Sequence, residues 1–428
     1  MNKKILISIL LVFIMLTCSF GGNAAAKSSK TQNLTASIKA SKSKGTKMKA
    51  GQAKKLTTVS FKLLDETIKN DDANANVFIS PTSVMFAFGL AENGAKGATR
   101  SQIENGLYGG ISTQDTNSLM CKLMKKMESN KKVKWNVGNS IWVIDRSDVK
   151  VKKNFLKTCK SYYDAEIYKA PFDDSTVKDM NKWVSDNTKG MIPKIVDRFQ
   201  GDEVMYLINA VAFDGSWAEP FTKAQIQKKY TFHNIDGSTS KVTMMNSKVD
   251  GYFELNGAKG FKKYYKGRDY AFVGIEMPEG VTPADYIAAL STDEGAFNNA
   301  LSDMKYDFDV RIKLPKFKLD YDTEMTSTLE NMGITDAFDK NKANLYNMFK
   351  KDGDTNYYFD KVLHKTHIEV DQSGTKAAAV TAIAVNKITS VQNPKPQLMI
   401  SLDHPFVYAI VDTKTNLPIF VGCMNTMK

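Results

Sequence analysis

The chain has 428 residues, a formal net charge of +13 and four cysteines. Two of the positive charges lie at Lys3 and Lys4 and nine lysines lie between residues 27 and 55, which leaves about +2 for everything after residue 55. A nearly neutral remainder gives no support to a nucleic-acid-binding domain. The few, widely spaced cysteines exclude a disulfide scaffold. A large apolar core must therefore hold the folded part together.

The start of the chain has the pattern of a secretory signal peptide. A short basic stretch precedes an apolar run from Ile5 to Leu16, which is too short for a stable membrane anchor, and three alanines ending at Ala26 offer a cleavage site. We expect residues 1–26 to be removed and the mature protein to be secreted into the extracellular space. A retained anchor is the alternative, and Cys18 leaves a lipoprotein open.

The segment from residue 27 to residue 55 is rich in lysine, serine, threonine and alanine and contains no acidic residue. It has too few large apolar side chains to offset the loss of chain entropy on folding. We predict a disordered arm there. Its charge suits contact with anionic polymers of the cell surface, and a solvated spacer is the alternative.

The chain from residue 56 to residue 428 reads as one domain, since no linker rich in proline and glycine and no internal repeat divides it. Apolar spacing predicts a first helix over Leu56–Lys69. A second helix is predicted over Ser175–Lys189, with Ser175 capping its start and Gly190 and Pro193 ending it.

Five segments rich in β-branched and aromatic residues predict strands. They are Val133–Ile144, Met205–Phe213, Tyr270–Met277, Val310–Phe317 and Val407–Val411. Several are apolar on both faces, which is typical of central strands in a buried sheet. Helices and strands mix without a βαβ repeat, so the predicted fold class is α+β.

The common enzyme motifs are missing from the sequence. It has neither an H-E-x-x-H nor a G-x-S-x-G motif, and the glycine-rich stretch from Gly89 to Lys96 lacks the Gly-Lys-Ser/Thr of a phosphate loop. His364 and His367 lie in an alternating stretch that predicts a strand, which puts their side chains on opposite faces. We therefore predict no catalytic residue, no metal site and no cofactor.

The segment from residue 372 to residue 392 has an unusual pattern. Gly374 is followed by small residues at every second position, namely Thr375, Ala377, Ala379 and Thr381. In a strand these four side chains share one face, and a face of small residues can enter a packed sheet with little clash. The composition alone fits an alanine-rich helix equally well.

Five motifs in chain order resemble the serpin family. They are Asn76-Val-Phe-Ile-Ser80-Pro81-Thr-Ser83, Asn181-Lys-Trp183-Val184 with Thr188, the run from Asn209 through Phe213 and Trp217 to Pro220-Phe221, Val362-Leu-His364-Lys, and Asp403-His404-Pro405-Phe406 with Leu417-Pro-Ile-Phe420-Val-Gly422. The resemblance extends over the domain from residue 56 to residue 428.

The resemblance implies a serpin fold, with a large, mostly antiparallel central sheet, further sheets, about eight to nine helices and an exposed reactive-centre loop over about residues 374–394. It implies a metastable inhibitor of a serine protease, with a cysteine protease as the other target class. The target cuts the loop, becomes attached as an acyl-enzyme and is carried along as the loop inserts into the main sheet. The expected partner is that protease, and the inhibitor is expected to be a monomer. A non-inhibitory binding protein is the alternative function.

The family's site residues map onto positions of this sequence. Gly374, Thr375, Ala377, Ala379 and Thr381 match the hinge that enters the sheet. Ser80, Ser83, Asn209 and His364 match a polar cluster that gates the sheet, and Trp217 matches the point of loop entry.

The scissile bond is less defined. Counting from Gly374 puts it at Ile388–Thr389, and Lys387–Ile388 is the alternative. The hinge departs from the family pattern at Gln372, Ser373, Lys376 and Val380. Lys376 and Val380 fall on the outward face by the period-two argument, so we expect insertion to remain feasible.

Overall fold

The computed structural model describes residues 30–201, 203–350, 357–375 and 395–427. The predicted signal peptide and the predicted loop from residue 376 onward lie outside these ranges. The described chain mixes helices with three separate sheets, as the predicted α+β class requires. Within these ranges no helix is long and apolar enough to cross a membrane.

Nine α-helices occur in the described part of the chain. They are α1 Ala50–Lys69, α2 Pro81–Gly94, α3 Gly97–Tyr108, α4 Thr113–Glu128, α5 Lys153–Tyr163, α6 Asp174–Asn187, α7 Pro283–Thr292, α8 Ala296–Ser302 and α9 Thr326–Asn331.

Both predicted helices exist, and both begin earlier than the apolar pattern suggested. Helix α1 starts at Ala50, because one buried alanine, Ala53, extends its inner face ahead of Leu56. Helix α6 is capped by Asp173, whose carboxylate accepts hydrogen bonds from the backbone N–H groups of Ser175 and Thr176. Ser175, predicted as the cap, lies inside the first turn.

The strands in chain order are β1 Gln32–Asn33, β2 Val77–Ile79, β3 Lys134–Ile144, β4 Glu166–Ala170, β5 Met205–Ser216, β6 Ile226–His233, β7 Thr239–Val249, β8 Tyr252–Leu255, β9 Ala258–Tyr264, β10 Tyr270–Glu276, β11 Asp309–Pro315, β12 Phe317–Glu324, β13 Lys361–Val370, β14 Gly374–Thr375, β15 Gln397–Ser401, β16 Phe406–Asp412 and β17 Pro418–Met424. The five predicted strands correspond to β3, β5, β10, β11 and β16. The fourth prediction ran on to Phe317, which instead begins β12 after Pro315 and Lys316.

The largest sheet has seven strands in the order β1-β4-β3-β5-β14-β13-β12. Its neighbours run antiparallel except for β3 with β4 and the direct contact of β5 with β13. The second sheet has the order β2-β17-β16-β10-β9-β8, and the third has the order β15-β11-β7-β6. A large, mostly antiparallel central sheet was predicted, and the structure has one.

Two apolar clusters cover the two faces of the seven-stranded sheet. The inner face of β5, through Leu207, Val211 and Phe213, belongs to the main core. Its outer face, through Tyr206, Ile208 and Ala210, packs in a smaller cluster with residues of α6. Both faces of β5 are therefore buried, which explains why its sequence shows no polar face.

The N-terminal segment over residues 30–49, for which we predicted disorder, has a defined conformation in the structure. Strand β1 pairs with β4, the N–H of Leu34 donates to the carbonyl of Ile167 at 2.7 Å, and the N–H of Ser43 donates to Ser161 at 3.0 Å. Backbone hydrogen bonds do not depend on apolar composition, and Leu34 also packs on the main core. The absence of large side chains was therefore not sufficient to predict disorder.

Candidate functional site

Strands β5 and β13 of the large sheet pair only at one end. Their parallel ladder covers Lys361–Leu363 against Tyr206–Ile208, and beyond Leu363 and Ile208 they no longer pair with each other. At the far end β14 lies between them and pairs with both. The sheet therefore has a slot between β5 and β13, with β14 at its entrance.

Gly374 and Thr375 form β14 and fill the entrance of the slot. Gly374 lies opposite Ser216 and Thr375 lies opposite Gly215, in antiparallel register. A Cβ at Gly374 would come within 2.1 Å of the carbonyl oxygen of Gly215, so only glycine fits there. Both predicted hinge residues that the structure describes thus lie inside the sheet.

Thr375 points into the core. It is 1% exposed, and its hydroxyl lies 2.6 Å from the hydroxyl of Tyr265. On the other side Thr375 pairs with Val370 of β13. The inward orientation that the period-two pattern predicted for Thr375 agrees with this position.

A tight turn around Asp371 directs the chain into the slot. The Asp371 carboxylate accepts hydrogen bonds from the N–H of Ser373 at 2.6 Å and of Gly374 at 3.1 Å. The N–H of Asp371 donates to the carbonyl of Gly374 at 2.9 Å. Lys316 donates a hydrogen bond to the side chain of Gln372, which lies within this turn between Asp371 and Gly374.

Trp217 and Phe221 hold the backbone that leads into the hinge. The indole N–H of Trp217 donates to the carbonyl of Asp371, its backbone N–H donates to Ser373, and the N–H of Phe221 donates to Gln372, each at 2.9 Å. Trp217 also stacks on Tyr265, with ring centroids 4.6 Å apart. We call Trp217, Phe221 and the three carbonyls they bind the entrance clamp.

Three members of the predicted polar cluster meet below the sheet. The N–H of Ser80 donates to Nε2 of His364 at 3.0 Å, and the N–H of Ser83 donates to the Ser80 hydroxyl at 3.3 Å. The Ser80 hydroxyl donates in turn to the carbonyl of Ile419 at 2.8 Å. Ser80 caps α2, so the cluster joins the start of α2 to the middle of β13.

Asn209, the fourth predicted member, has no hydrogen bond to the other three. Its amide donates to Oδ1 of Asn139 on β3 at 2.6 Å. It lies one residue past Ile208, where β5 leaves β13. Within the described residues the Asn209 side-chain oxygen and the Ser83 hydroxyl have no hydrogen-bond partner. Asn209 on β5 is thus separated by the slot from His364 on β13 and from the two serines that lie with it.

His364 is neutral in this site. It is 3% exposed, and burial lowers the pKa of its imidazole to about 4. Since Nε2 accepts a hydrogen bond, the network assigns the ring proton to Nδ1. His367 lies on the opposite face of β13, where Nδ1 is 2.6 Å from Asp320, as the strand alternation predicted.

The remaining predicted site residues lie outside the described residues. They are the hinge residues Ala377, Ala379 and Thr381 and the scissile-bond residues Lys387, Ile388 and Thr389. Sequence reasoning missed Tyr265, Asp371, Lys316 and Asn139. Tyr265 lies 110 residues from Thr375 along the chain, so no local pattern connects the two.

Comparison with known proteins agrees with this architecture. The family described as Serpin (serine protease inhibitor) matches residues 54–426. Serpin B10 of Bos taurus is 28% identical over 382 residues, which cover 81% of this chain and 92% of that protein.

Among solved structures, the native state of the thermophilic serpin tengpin is 38% identical, covers 93% of this chain and 100% of that one, and superposes with a TM-score of 0.85. Its latent state is 36% identical, covers 90% of this chain and 100% of that one, and gives a TM-score of 0.74. The predicted family and fold are confirmed: the chain belongs to the serpin family, whose members are generally protease inhibitors rather than enzymes.

Proposed function

We propose that this protein is a secreted serpin that inhibits a serine endopeptidase as a suicide substrate. The protease cuts the reactive-centre loop that follows Thr375 and remains attached as an acyl-enzyme. It is displaced as the cut loop enters the slot between β5 and β13. A cysteine protease, which also forms an acyl-enzyme, is the other target class.

The main support for this proposal is the slot between β5 and β13, with Gly374 and Thr375 at its entrance. Strand edges on both sides of a gap offer unpaired backbone groups to an incoming strand. An added strand of about seven residues gains a net ~1 kcal/mol for each hydrogen bond formed. Insertion is then downhill, and only kinetics keeps the uncut form open.

The register at the entrance predicts how the cut loop fits. Extending the pairing of Thr375 with Gly215 and with Val370 residue by residue brings Thr381 opposite both Asn209 and His364. Thr381 is the last of the four small residues that alternate from Thr375. A hydroxyl at that point supplies a partner for the polar cluster that the slot divides.

The comparison with tengpin supports an uncut, open starting state. At similar sequence identity, the described chain superposes better on the native state than on the latent state, with TM-scores of 0.85 and 0.74. The pairing of β5 with β13 at one end only fits the same interpretation.

The proposed scissile bond is Ile388–Thr389, with Lys387–Ile388 as the alternative. Isoleucine before the cut suits a protease with an apolar primary pocket, whereas lysine suits one with an acidic pocket. A panel of trypsin-, elastase-, chymotrypsin-, subtilisin- and papain-like proteases tests both bonds. Trapping predicts an SDS-resistant band at the summed mass and a released C-terminal peptide whose mass identifies the bond.

A variant pair separates trapping from simple cleavage. Thr375→Arg puts a charged side chain into the core-facing position beside Tyr265, so it should be cut without forming the resistant band. Lys376→Arg puts the same group on the outward face and should still trap. Loop cleavage by the whole panel without any resistant band would favour the non-inhibitory alternative.

A further inference from the structure

A lysine is buried beneath the entrance clamp. Lys263 on β9 is 5% exposed, and its ammonium lies 4.2 Å from the ring centroid of Phe221 and 5.6 Å from that of Trp217. Across β9 and β10 it pairs with Phe272, which also contacts Trp217. Two aromatic rings thus face one buried ammonium.

The ammonium of Lys263 has few compensating partners. Its hydrogen-bond acceptor is the carbonyl of Glu219 at 2.9 Å, and within the described residues no carboxylate lies within ion-pair distance of it. An ammonium has three donors, so a single carbonyl leaves most of its lost hydration unreplaced. The rings of Phe221 and Trp217 offset part of this loss through cation–π attraction.

The charged groups around this site are few, and most are already paired. The exposed carboxylate of Glu219 favours the charged form of Lys263. Arg268 pairs with Asp250 at 2.8 Å, and Lys248 pairs with Asp309 at 2.8 Å. On the hinge side, the Asp371 carboxylate is occupied by the N–H groups of Ser373 and Gly374. The neighbouring Lys262 donates to the carbonyl of Leu301.

We infer that Lys263 is a positioning residue for the hinge: its protonated side chain loosens the entrance clamp, and its neutral form lets the clamp close on residues 371–373. The inference rests on the proposed function for its role in loop insertion. Lys263 acts through Glu219 and Phe221, which belong to the same loop as Trp217, and touches neither the scissile bond nor the protease.

The direction of the effect follows from proton linkage. Burial lowers the pKa of Lys263 to about 8, with a smaller opposing effect from Glu219. When the clamp opens and water reaches the ammonium, the pKa returns toward 10.5. The open form therefore binds more protons between these values, so the closed clamp gains stability as pH rises from about 8 to 10.5.

Hydrogen–deuterium exchange of the peptide covering residues 217–221 measures clamp closure directly, since the N–H groups of Trp217 and Phe221 bind the hinge carbonyls. After correction for intrinsic exchange rates, protection in the intact protein should rise about tenfold between pH 7 and pH 9. Lys263→Met and Lys263→Arg should both flatten this profile, because neither side chain changes charge in that range.

Lys262→Met is the matched control, because Lys262 is also buried and its pKa is also lowered to about 8, but it bonds Leu301 rather than the clamp. It should keep the wild-type profile. A flat profile in the wild-type protein, or an unchanged slope in Lys263→Met, would overturn the inference. The measurement needs no protease, so failure of the protein to trap a protease would leave its outcome readable.

Discussion

At the residue scale, the buried imidazole of His364 makes the stability contributed by the polar cluster depend on pH. Its Nε2 accepts the N–H of Ser80, and this hydrogen bond requires the neutral ring. Because burial lowers the pKa of His364 to about 4, the unfolded state binds the proton more tightly than the folded state. The stabilising contribution is complete above about pH 6.5 and is lost as pH falls toward 4.

We therefore expect the wild-type protein to lose about 3 kcal/mol more than His364→Gln when the pH is lowered from 7 to 4. The glutamine oxygen can still accept the N–H of Ser80, and it does not titrate. Urea midpoints of both proteins across this range give the difference. Parallel pH profiles for the two proteins would show that His364 does not titrate in the fold.

For Glu92 on α2 we predict a contribution to folding stability with the opposite pH dependence. It is 0% exposed, and burial raises the pKa of its carboxyl to about 8, against smaller opposing effects of Thr113 and Arg100. Here the folded state holds the proton more tightly, so stability falls as pH rises from about 4.5 to 8.

The Glu92→Gln variant should lack this loss, which amounts to about 1.4 kcal/mol per pH unit for the wild-type protein. Unfolding midpoints at pH 5 and pH 8 test the difference. If the variant lost as much stability as the wild-type protein over that range, Glu92 would be ionised throughout and our account of its burial would be wrong.

At the element scale, the N-terminal segment over residues 30–49 is held by backbone hydrogen bonds, by side-chain bonds such as that of Lys42 with Asp164, and by apolar contacts such as that of Leu34 with the core. It also covers Cys121 on α4, whose thiol lies 3.4 Å from the carbonyl of Ser43. Removing all residues before Lys49 eliminates β1 and uncovers this thiol. We expect a lower melting temperature and faster alkylation of Cys121.

Cys423 on β17 provides an internal control for this truncation, because it is 1% exposed in the main core and should stay unreactive. Selective labelling of Cys121, mapped by mass spectrometry, is the predicted result. Labelling of Cys423 as well would indicate global unfolding, and labelling of neither would show that the segment does not cover Cys121.

The strand that would fill the slot carries a charge of its own. In an inserted strand that continues the register of β14, Lys376 would lie opposite Asp214 and Glu369. A cross-strand pair of opposite charges stabilises a sheet by a fraction of a kcal/mol to about 1 kcal/mol. We therefore expect the lysine at this hinge position to favour insertion.

Lys376→Glu should therefore slow insertion and raise the number of inhibitor molecules consumed per trapped protease by about two- to fivefold. Lys376→Gln should have a smaller effect, since it removes the attraction without adding repulsion. Titration of the target protease with each variant measures the ratio. Equal ratios for all three proteins would exclude the predicted register or the predicted charge effect.

At the scale of the whole molecule, the features that follow a repeating pattern along the chain could be predicted from the sequence. Alternation placed His364 and His367 on opposite faces of β13, and the small residue at Thr375 proved to face the core. Sequence reasoning missed contacts between distant segments, such as Tyr265 with Thr375, because no local pattern connects them. It also assigned disorder to a segment that backbone pairing holds in place.

We expect the slot between β5 and β13 to receive the cut loop. Cleavage of the loop, followed by thermal unfolding of the cut and intact proteins, tests this expectation most directly. Insertion of about seven strand residues predicts a melting temperature at least about 10 °C higher in the cut protein, and no such rise for Thr375→Arg. A cut wild-type protein that melts at or below the temperature of the intact one would contradict the account.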